Sequence, residues 1–504
     1  MPFLRTLPFF LLLPALASLA MFAPALVAIW LRDHHDARSF FYAGLIGLIL
    51  TTLVALAVRD RNPDRAVTHH LLTLCGGLIL LPVMLAVPFH EALQTTSFLN
   101  AYFEMVSCLT TTGATLFEPD RLSAAENLWR AQVAWLGGFL MWVSAAAVMA
   151  PLTLGGFEVI APSSLGQATV TGDVGHDLAS PLRRLARSSR DLFPLYVGLT
   201  LILWVLLAVL GDAPLVALIH AMSVLSTSGI TPLSSLSETQ SGLAGEALLF
   251  LFMFFALSRL TFSTDTVNSD RPGLAHDPEF RIGLVLLVGV TAALMLRHWL
   301  ASFDVNEEEN LGALLQALWG ALFTVMSFLT TTGFESADWD AAQAWSGLDT
   351  PGLILMGLAL MGGGVATTAG GVKLLRVFAL YLNGAREIQK LVHPSSIGQA
   401  GRHGRRVQRE GAFIAWVFFM LFAISIAAVT CGLALMNVPF EDSVLMSVAA
   451  LSNTGPLITA GANDPVSLTT LTDQAKLLLC AAMVLGRLEV LAIIAMLTPV
   501  FWRN

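Results

Sequence analysis

The sequence predicts an all-α polytopic membrane protein: four span/pore-helix/filter/span repeats around one pore, plus an N-terminal pair of spans. Composition is the first of three observations behind this prediction, because 56% of the 504 residues are apolar and only 12% are charged. An ordinary soluble domain carries about 25% charged residues. Membrane lipid is therefore the expected surrounding, and the formal net charge of -8 argues against a broadly basic nucleic-acid surface.

The second observation is a series of apolar stretches, each long enough to be a candidate for crossing about 30 Å of hydrocarbon. There are ten: Leu7 to Leu31, Phe40 to Val58, Leu71 to Val87, Val133 to Leu154, Leu192 to Leu210, Ala247 to Leu260, Ile282 to Leu300, Pro351 to Leu382, Ala412 to Met436 and Ala475 to Phe501. The first resembles a secretory signal, since Arg5 precedes it. Its length and the second stretch close behind favour a retained span.

Charge in the connections predicts the orientation of the chain. Basic residues cluster in alternate connections, for example Arg183 to Arg190 and Arg386 to Arg409, whereas the others are acidic, as in Asp304 to Glu309. Basic connections stay on the cytoplasmic side of a membrane. With ten spans, both termini are then cytoplasmic, and the expected location is the bacterial inner membrane.

The third observation is an internal repeat. Four connections on the predicted outer side contain a shorter apolar segment that ends in Thr, Ser or Asn followed by glycine. These glycines, at 113, 229, 333 and 455, lie 116, 104 and 122 residues apart, each with a span before and after it. The predicted segments are a two-span extension at 1–65 and pore repeats at 66–185, 186–275, 276–405 and 406–504.

The repeated unit predicts cation conduction. A half-helix that returns as an extended strand exposes backbone carbonyls, which a membrane tolerates only where protein or water surrounds them. Four such strands around one axis make a ring that can replace the hydration shell of a potassium ion. Glycine permits the required backbone geometry, and neighbouring hydroxyls can support the strand. The candidate cation ligands are Thr111, Thr112, Gly113, Thr227, Ser228, Gly229, Thr331, Thr332, Gly333, Asn453, Thr454 and Gly455.

These segments resemble the filters of the Trk/Ktr/HKT superfamily of potassium transporters, at Thr110 to Thr115, Thr330 to Phe334 and Ser452 to Pro456. The stretches Gly362 to Lys373 and Leu485 to Glu489 are similar to the Trk-type membrane subunit in particular. The resemblance implies potassium uptake, a homodimer with one pore per subunit, and a cytoplasmic nucleotide-binding regulatory ring protein of the TrkA type. Two departures from the family pattern are Cys108 and Arg259.

A gate is predicted within the third repeat. As one straight helix, Pro351 to Lys390 would be about 60 Å long, twice the hydrocarbon thickness. We therefore expect a break into a mobile loop below the filter, at the five glycines near its middle; the alternative is a small-residue packing face between helices. The candidate gate glycines are Gly362, Gly363, Gly364, Gly370 and Gly371.

Two charged side chains within apolar segments carry separate expectations. Arg487 lies about 20 Å into the last span by helical rise, and we expect it to project into the pore near the gate as an electrostatic barrier. The alternative for Arg487 is a buried ion pair with an acidic residue of a neighbouring span. Glu104, in the first half-helix, is expected to accept hydrogen bonds from donors behind the filter. His220 is expected to be packed or interfacial rather than a metal ligand.

Three other functions compete with potassium uptake. The potassium-binding subunit of a Kdp-type ATPase would share the four-repeat pore, but Leu391 to Pro394 and Gly486 to Glu489 argue against it. A non-transporting membrane scaffold, or an enzyme acting on lipid-like substrates, would leave the four glycine loops unexplained. The sequence contains neither a His-Glu-x-x-His nor a Gly-x-Ser-x-Gly motif, so we expect no enzymatic activity.

Overall fold

The computed structural model describes residues 9–57, 67–149, 156, 181–258, 274, 277–301, 311–347, 350–392, 409–462 and 467–488. Every regular element in these ranges is a helix. Arg259, the acidic connection Asp304 to Glu309 and the basic residues between Arg402 and Arg406 lie outside them.

The first three helices form the N-terminal extension: α1 (Phe9–Ala20), α2 (Phe22–Trp30) and α3 (His34–Ala57). Together α1 and α2 provide one apolar crossing, Leu11–Trp30. Helix α3 packs against both, through the backbone of Gly44 and Gly47, where an added methyl group would collide with Ser18. The predicted pair of spans is present.

We group the remaining helices by the predicted repeats. Repeat one comprises α4 (Val67–Leu93), α5 (Phe98–Leu109) and α6 (Ala124–Ser144), which continues as a π-helix, Ala145–Met149. Repeat two comprises α7 (Pro181–Val209), α8 (Pro214–Ser226) and α9 (Gly242–Met253). Repeat three comprises α10 (Pro278–Ala301), α11 (Leu311–Leu329), α12 (Trp339–Ser346), α13 (Gly352–Met361) and α14 (Leu374–Val392). Repeat four comprises α15 (Arg409–Leu435), α16 (Phe440–Leu451), α17 (Leu457–Ala460) and α18 (Asp473–Leu488).

Seven helices in the described ranges are long and apolar enough to cross a membrane. Six coincide with predicted spans: the two N-terminal spans and the first helix of each repeat. The seventh, Gly312–Leu329 within α11, is the half-helix of repeat three, which is longer than the short segment predicted there. The four remaining predicted spans correspond to the second helices of the repeats. Within the described residues, α6 changes to a π-helix after Ser144, α9 ends at Met253 and α13 ends at Met361.

The four repeats close into a ring. Each second helix packs against the half-helix of the next repeat: α6 against α8, α9 against α11, α13 against α16, and α18 against α5. Because the fourth repeat returns to the first, the ends of all four half-helices face one centre. This closure positions the glycine loops that follow them.

Candidate functional site

The four half-helices α5, α8, α11 and α16 end in the same way. In each, the residue before the filter glycine donates its backbone N–H to a carbonyl five residues earlier, as Thr112 does to Ser107, over 2.8 to 3.0 Å. The preceding residue has left-handed backbone, with φ between 53° and 58°. This combination is the Schellman arrangement that terminates helices. The left-handed residues are Thr111, Thr227, Thr331 and Asn453.

Left-handed backbone is unusual at these positions, because glycine normally occupies this place in a helix end. A β-branched residue there is an outlier that costs about 1–3 kcal/mol. The side chains at the position are polar in all four repeats and are buried. Thr111 Oγ1 and Asn453 Oδ1 have no hydrogen-bond partner within the described chain. The repeated strain therefore accompanies buried side-chain oxygen atoms.

A hydroxyl pair supports each loop. Thr110 Oγ1 lies 2.8 Å from Thr112 Oγ1, and the equivalent hydroxyl pairs of the other repeats are separated by 3.0 to 3.2 Å. The first hydroxyl of each pair also donates to a carbonyl four residues earlier in its half-helix. The prediction that hydroxyl groups support the strand is confirmed. The other pairs are Ser226 with Ser228, Thr330 with Thr332, and Ser452 with Thr454.

The loops contact one another in order around the ring. A methyl group added to Gly113 would lie 1.8 Å from the carbonyl oxygen of Ser228, and one added to Gly229 would lie 2.1 Å from that of Thr332. Repeat four returns to repeat one, because Asn453 Nδ2 donates to Thr112 Oγ1 over 3.0 Å. All twelve predicted ligand residues therefore lie in one assembly, and these close approaches exclude a side chain at the glycines.

A polar side chain nine positions before the glycine holds the strand beyond it in three repeats. Glu104 Oε2 accepts from the Leu116 N–H over 3.1 Å, and Thr324 Oγ1 accepts from the Ser336 N–H over 3.3 Å. In repeat two, His220 Nε2 lies 3.0 Å from Thr231 Oγ1. Glu104 accepts from a donor behind the filter and His220 is packed, both as expected, but the shared position of these residues is a feature that sequence reasoning missed. Counting back from each glycine would have found it.

The Glu104 carboxylate is also ion-paired. Its Oε1 atom lies 2.7 Å from Nε of Arg130, and both side chains are buried. Arg130 reaches the pair from α6 and also donates to Asn127 Oδ1 over 3.2 Å. A buried carboxylate needs such compensation. Arg130 was not predicted, because no spacing in the sequence links it to Glu104.

The predicted break in the third repeat is present. Helix α13 ends at Met361, and α14 begins at Leu374. The segment between them, residues 362–373, contains the predicted gate glycines and is called the gate loop after that prediction. Its two ends are joined by backbone hydrogen bonds, from Val372 to Leu360 over 2.9 Å and from Lys373 to Met361 over 3.0 Å. Gly362 and Gly371 both have positive φ and touch each other where the loop closes.

The gate loop contacts the filter loops directly. The Gly370 N–H donates to Thr331 Oγ1 over 2.7 Å, and Thr368 Oγ1 donates to the carbonyl of Leu225 over 3.1 Å. Gly364 is held by the carbonyl of Ala256 over 2.9 Å. The loop thus lies against the ends of two half-helices, on the side of the left-handed residues.

Arg487 meets the gate loop from α18. Its Nη1 atom donates to the Thr368 carbonyl over 2.8 Å, while Nε and Nη2 have no hydrogen-bond partner in the described residues. No described acidic residue forms an ion pair with it, so the alternative of a buried ion pair is not supported within these ranges. Arg487 lines a small cavity together with Asn453, Gly370 and Lys373. Lys373 Nζ donates to the Ala369 carbonyl.

The fold and the site define a multi-pass membrane protein in which four helix–loop units close one ring above a cavity. A model of the TrkH family, described as "Cation transport protein", matches residues 37–500. The chain therefore belongs to the TrkH family of cation transport proteins, a family of transporters and not of enzymes.

Similarity to individual proteins extends over nearly the whole chain. The Trk system potassium uptake protein TrkH of Vibrio parahaemolyticus is 30% identical, with 98% of each chain covered. The Trk system potassium uptake protein TrkH of Salmonella typhimurium is also 30% identical over 98% of both chains. The crystal structure of the potassium transporter TrkH from Vibrio parahaemolyticus superimposes with a TM-score of 0.80 at 26% identity and covers 100% of both chains.

Proposed function

We propose that this protein takes up potassium ions across the bacterial inner membrane through the assembly of the four glycine loops, which acts as a selectivity filter. The observation that carries the proposal is the repetition of one strained helix end four times around a closed ring. Oxygen atoms that four helix ends direct at one centre suit a spherical monovalent cation. The relatives named as potassium uptake proteins favour potassium as that cation.

The proposed ligands fall into two levels. Carbonyl oxygens next to the glycines, such as those of Ser228 and Thr332, make one level, since each approaches the glycine of the neighbouring repeat. The unpartnered oxygens of Thr111 and Asn453 make a second level towards the cavity. Potassium is the transported substrate at both levels, and it exchanges water for protein oxygens there.

The gate loop and Arg487 are the proposed gate. Two cationic side chains, Arg487 and Lys373, line the cavity that an ion would enter after the filter. A unit charge 8 Å from the ion path opposes a cation by about 2 kcal/mol at an effective dielectric constant of about 20. Motion of the gate loop would carry Thr368, and with it the hydrogen bond to Arg487, away from the filter. Opening and the position of this charge are thereby coupled.

The proposal has three further parts. They are regulation by a cytoplasmic nucleotide-binding ring protein of the TrkA type, assembly as a homodimer, and a cytoplasmic position of both termini. Helix α14 leads directly from the gate loop towards the basic connection before α15. A partner that docks on this connection would pull on α14 and hence on the gate loop. Cross-linking of the purified protein and titration with such a ring protein test these two associations.

Flux through the purified protein in liposomes tests the central proposal. We expect rubidium or potassium uptake by the wild-type protein and its loss in Gly333→Asp, which places a carboxylate against the filter loops. No flux from a folded wild-type protein would contradict the proposal and favour a scaffold. Flux that required a separate ATP-hydrolysing chain would favour the Kdp-type alternative.

A further inference from the structure

The fourth filter loop differs from the other three. Gly113, Gly229 and Gly333 have φ between 65° and 83°, whereas the φ of Gly455 is not positive. The Gly455 N–H donates to the carbonyl of Thr112 over 2.6 Å. A carbonyl of repeat one is therefore bound to protein at this level of the ring.

Pro456, which follows Gly455, lies among the filter glycines of the other three repeats. Methyl groups added to Gly229 and Gly333 would lie 2.7 Å and 2.9 Å from its Cγ atom, and one added to Gly113 would lie 3.6 Å from its Cδ atom. A pyrrolidine ring that lies against the loops of the other three repeats must be near the axis of the four-loop assembly. The glycines are on the far side of the filter from the cavity, so Pro456 stands at that end.

The residues equivalent to Pro456 are more deeply buried. Ala114, Ile230 and Phe334 follow the other three glycines and are buried, whereas Pro456 is partly exposed. Pro456 has φ of -58° and ψ of -17° and immediately precedes the short helix α17, so its chain turns sharply after the filter. The fixed φ of proline suits this entry into a helix.

The half-helix of repeat four also lacks the polar side chain that holds the strand beyond the glycine in the other repeats. Glu104, His220 and Thr324 hold the strand beyond the glycine in repeats one to three, but the equivalent residue of repeat four is Met446. A methionine side chain has no polar group that can hold a backbone N–H strongly. The fourth strand is therefore free to take the helical turn that carries Pro456 inward.

We propose that the Pro456 ring forms the constriction at the far end of the filter and is a specificity-determining residue for the transported cation. The inference rests on the proposed function, because it assumes that ions pass along the axis of the ring. An apolar ring replaces a fourth set of oxygen ligands at this level, so a cation there keeps part of its water and must fit beside the pyrrolidine. Pro456 therefore limits the size of the hydrated ion that passes.

The first test compares ion fluxes in liposomes that contain wild-type protein, Pro456→Ala or the control Pro439→Ala. Pro439 is exposed at the start of α16. We expect the caesium-to-potassium flux ratio to rise about fivefold in Pro456→Ala, equivalent to about 1 kcal/mol in relative barrier height, and to stay at the wild-type value in the control. A folding defect would lower both fluxes equally, so an unchanged ratio overturns the inference.

The second test places a reactive thiol at the constriction. Pro456→Cys is made in a background in which the exposed Cys431 is replaced by serine, and a charged, membrane-impermeant thiol reagent is added during steady potassium flux. We expect flux to stop on modification, and added potassium to slow the reaction. Modification without loss of flux, or a thiol that does not react, overturns the inference. Absence of flux in the unmodified wild-type protein would instead refute the proposed function.

Discussion

Arg487 Nη1 donates a hydrogen bond to the backbone carbonyl of Thr368 over 2.8 Å, which joins the last described helix to the gate loop. The remaining guanidinium nitrogens Nε and Nη2 have no hydrogen-bond partner among the described residues. A buried cation with unused donors is costly in a membrane. The contact therefore fits a functional charge better than a purely structural one.

Replacing Arg487 with glutamine should raise potassium flux. Glutamine retains an amide donor for Thr368 but removes the charge, and relief of about 2 kcal/mol of repulsion corresponds to a tenfold or greater rise in rate. Flux is measured in liposomes at matched protein content. Arg487→Lys is the control, since it keeps the charge and should remain within a few-fold of wild type. Equal or lower flux in a stably folded Arg487→Gln protein would make this residue structural.

Replacing Gly113 with alanine should abolish selective flux while the protein still reaches the membrane. The new methyl group would lie 1.8 Å from the Ser228 carbonyl oxygen, a backbone atom of the neighbouring loop, so the filter must distort. Gly289→Ala is the matched control, because Gly289 lies within α10 with nothing within 4 Å of the added methyl. The same measurements on both variants check this, and selective wild-type flux in Gly113→Ala would contradict the proposed filter.

The helix–loop architecture could be predicted from the sequence because apolar length and recurring glycines report directly on membrane crossing and repetition. The break between Met361 and Leu374 followed from the length of the segment and the five glycines near its middle. The left-handed threonines could not be predicted in this way. Local propensity disfavours a β-branched residue in left-handed backbone, and only the closed ring maintains Thr111 there.

Contacts between distant segments were also beyond sequence reasoning. Arg130 meets Glu104 across 26 positions of the chain, and Arg487 meets Thr368 across 119. Without the packing of helices no pattern connects these partners. The position of Pro456 could not be predicted for the same reason, because the sequence shows a proline after a filter glycine but not the direction of its ring.

Replacing Thr111 with glycine should stabilise the fold but impair selectivity. Glycine removes the strain of φ 53°, worth about 1 kcal/mol or more, and it deletes the unpartnered hydroxyl proposed as a ligand. Thermal unfolding in detergent and potassium-to-sodium flux ratios are the measurements. Thr52→Gly, inside α3, should instead destabilise slightly, by about 0.3 kcal/mol, with an unchanged ratio. A Thr111→Gly protein with wild-type selectivity would exclude this side chain as a ligand.

Breaking the Glu104–Arg130 pair should destabilise the protein strongly. Glu104→Gln leaves the Arg130 charge buried without its partner, and such losses amount to about 3–5 kcal/mol. The double variant Glu104→Gln, Arg130→Gln should lose less than the sum of the single changes, because each single change removes the same interaction. Denaturant titration of the four proteins measures this coupling. Additive losses would show that the two side chains act independently.

Deleting the apex of the gate loop, residues 365–368, should increase leak while filter selectivity is retained. The deletion removes the Thr368 contacts with Leu225 and Arg487 but keeps Gly364 and its bond to Ala256. The barrier beneath the filter is thereby lowered, whereas the filter loops keep their own hydroxyl pairs. Basal potassium flux and the potassium-to-sodium ratio are compared with those of Thr367→Ala, whose lost hydroxyl bonds to Gly364 and Ala369, both within the loop. A folded deletion protein with wild-type basal flux would show that this loop is not the gate, and a rise in flux with lost selectivity would show that it supports the filter instead.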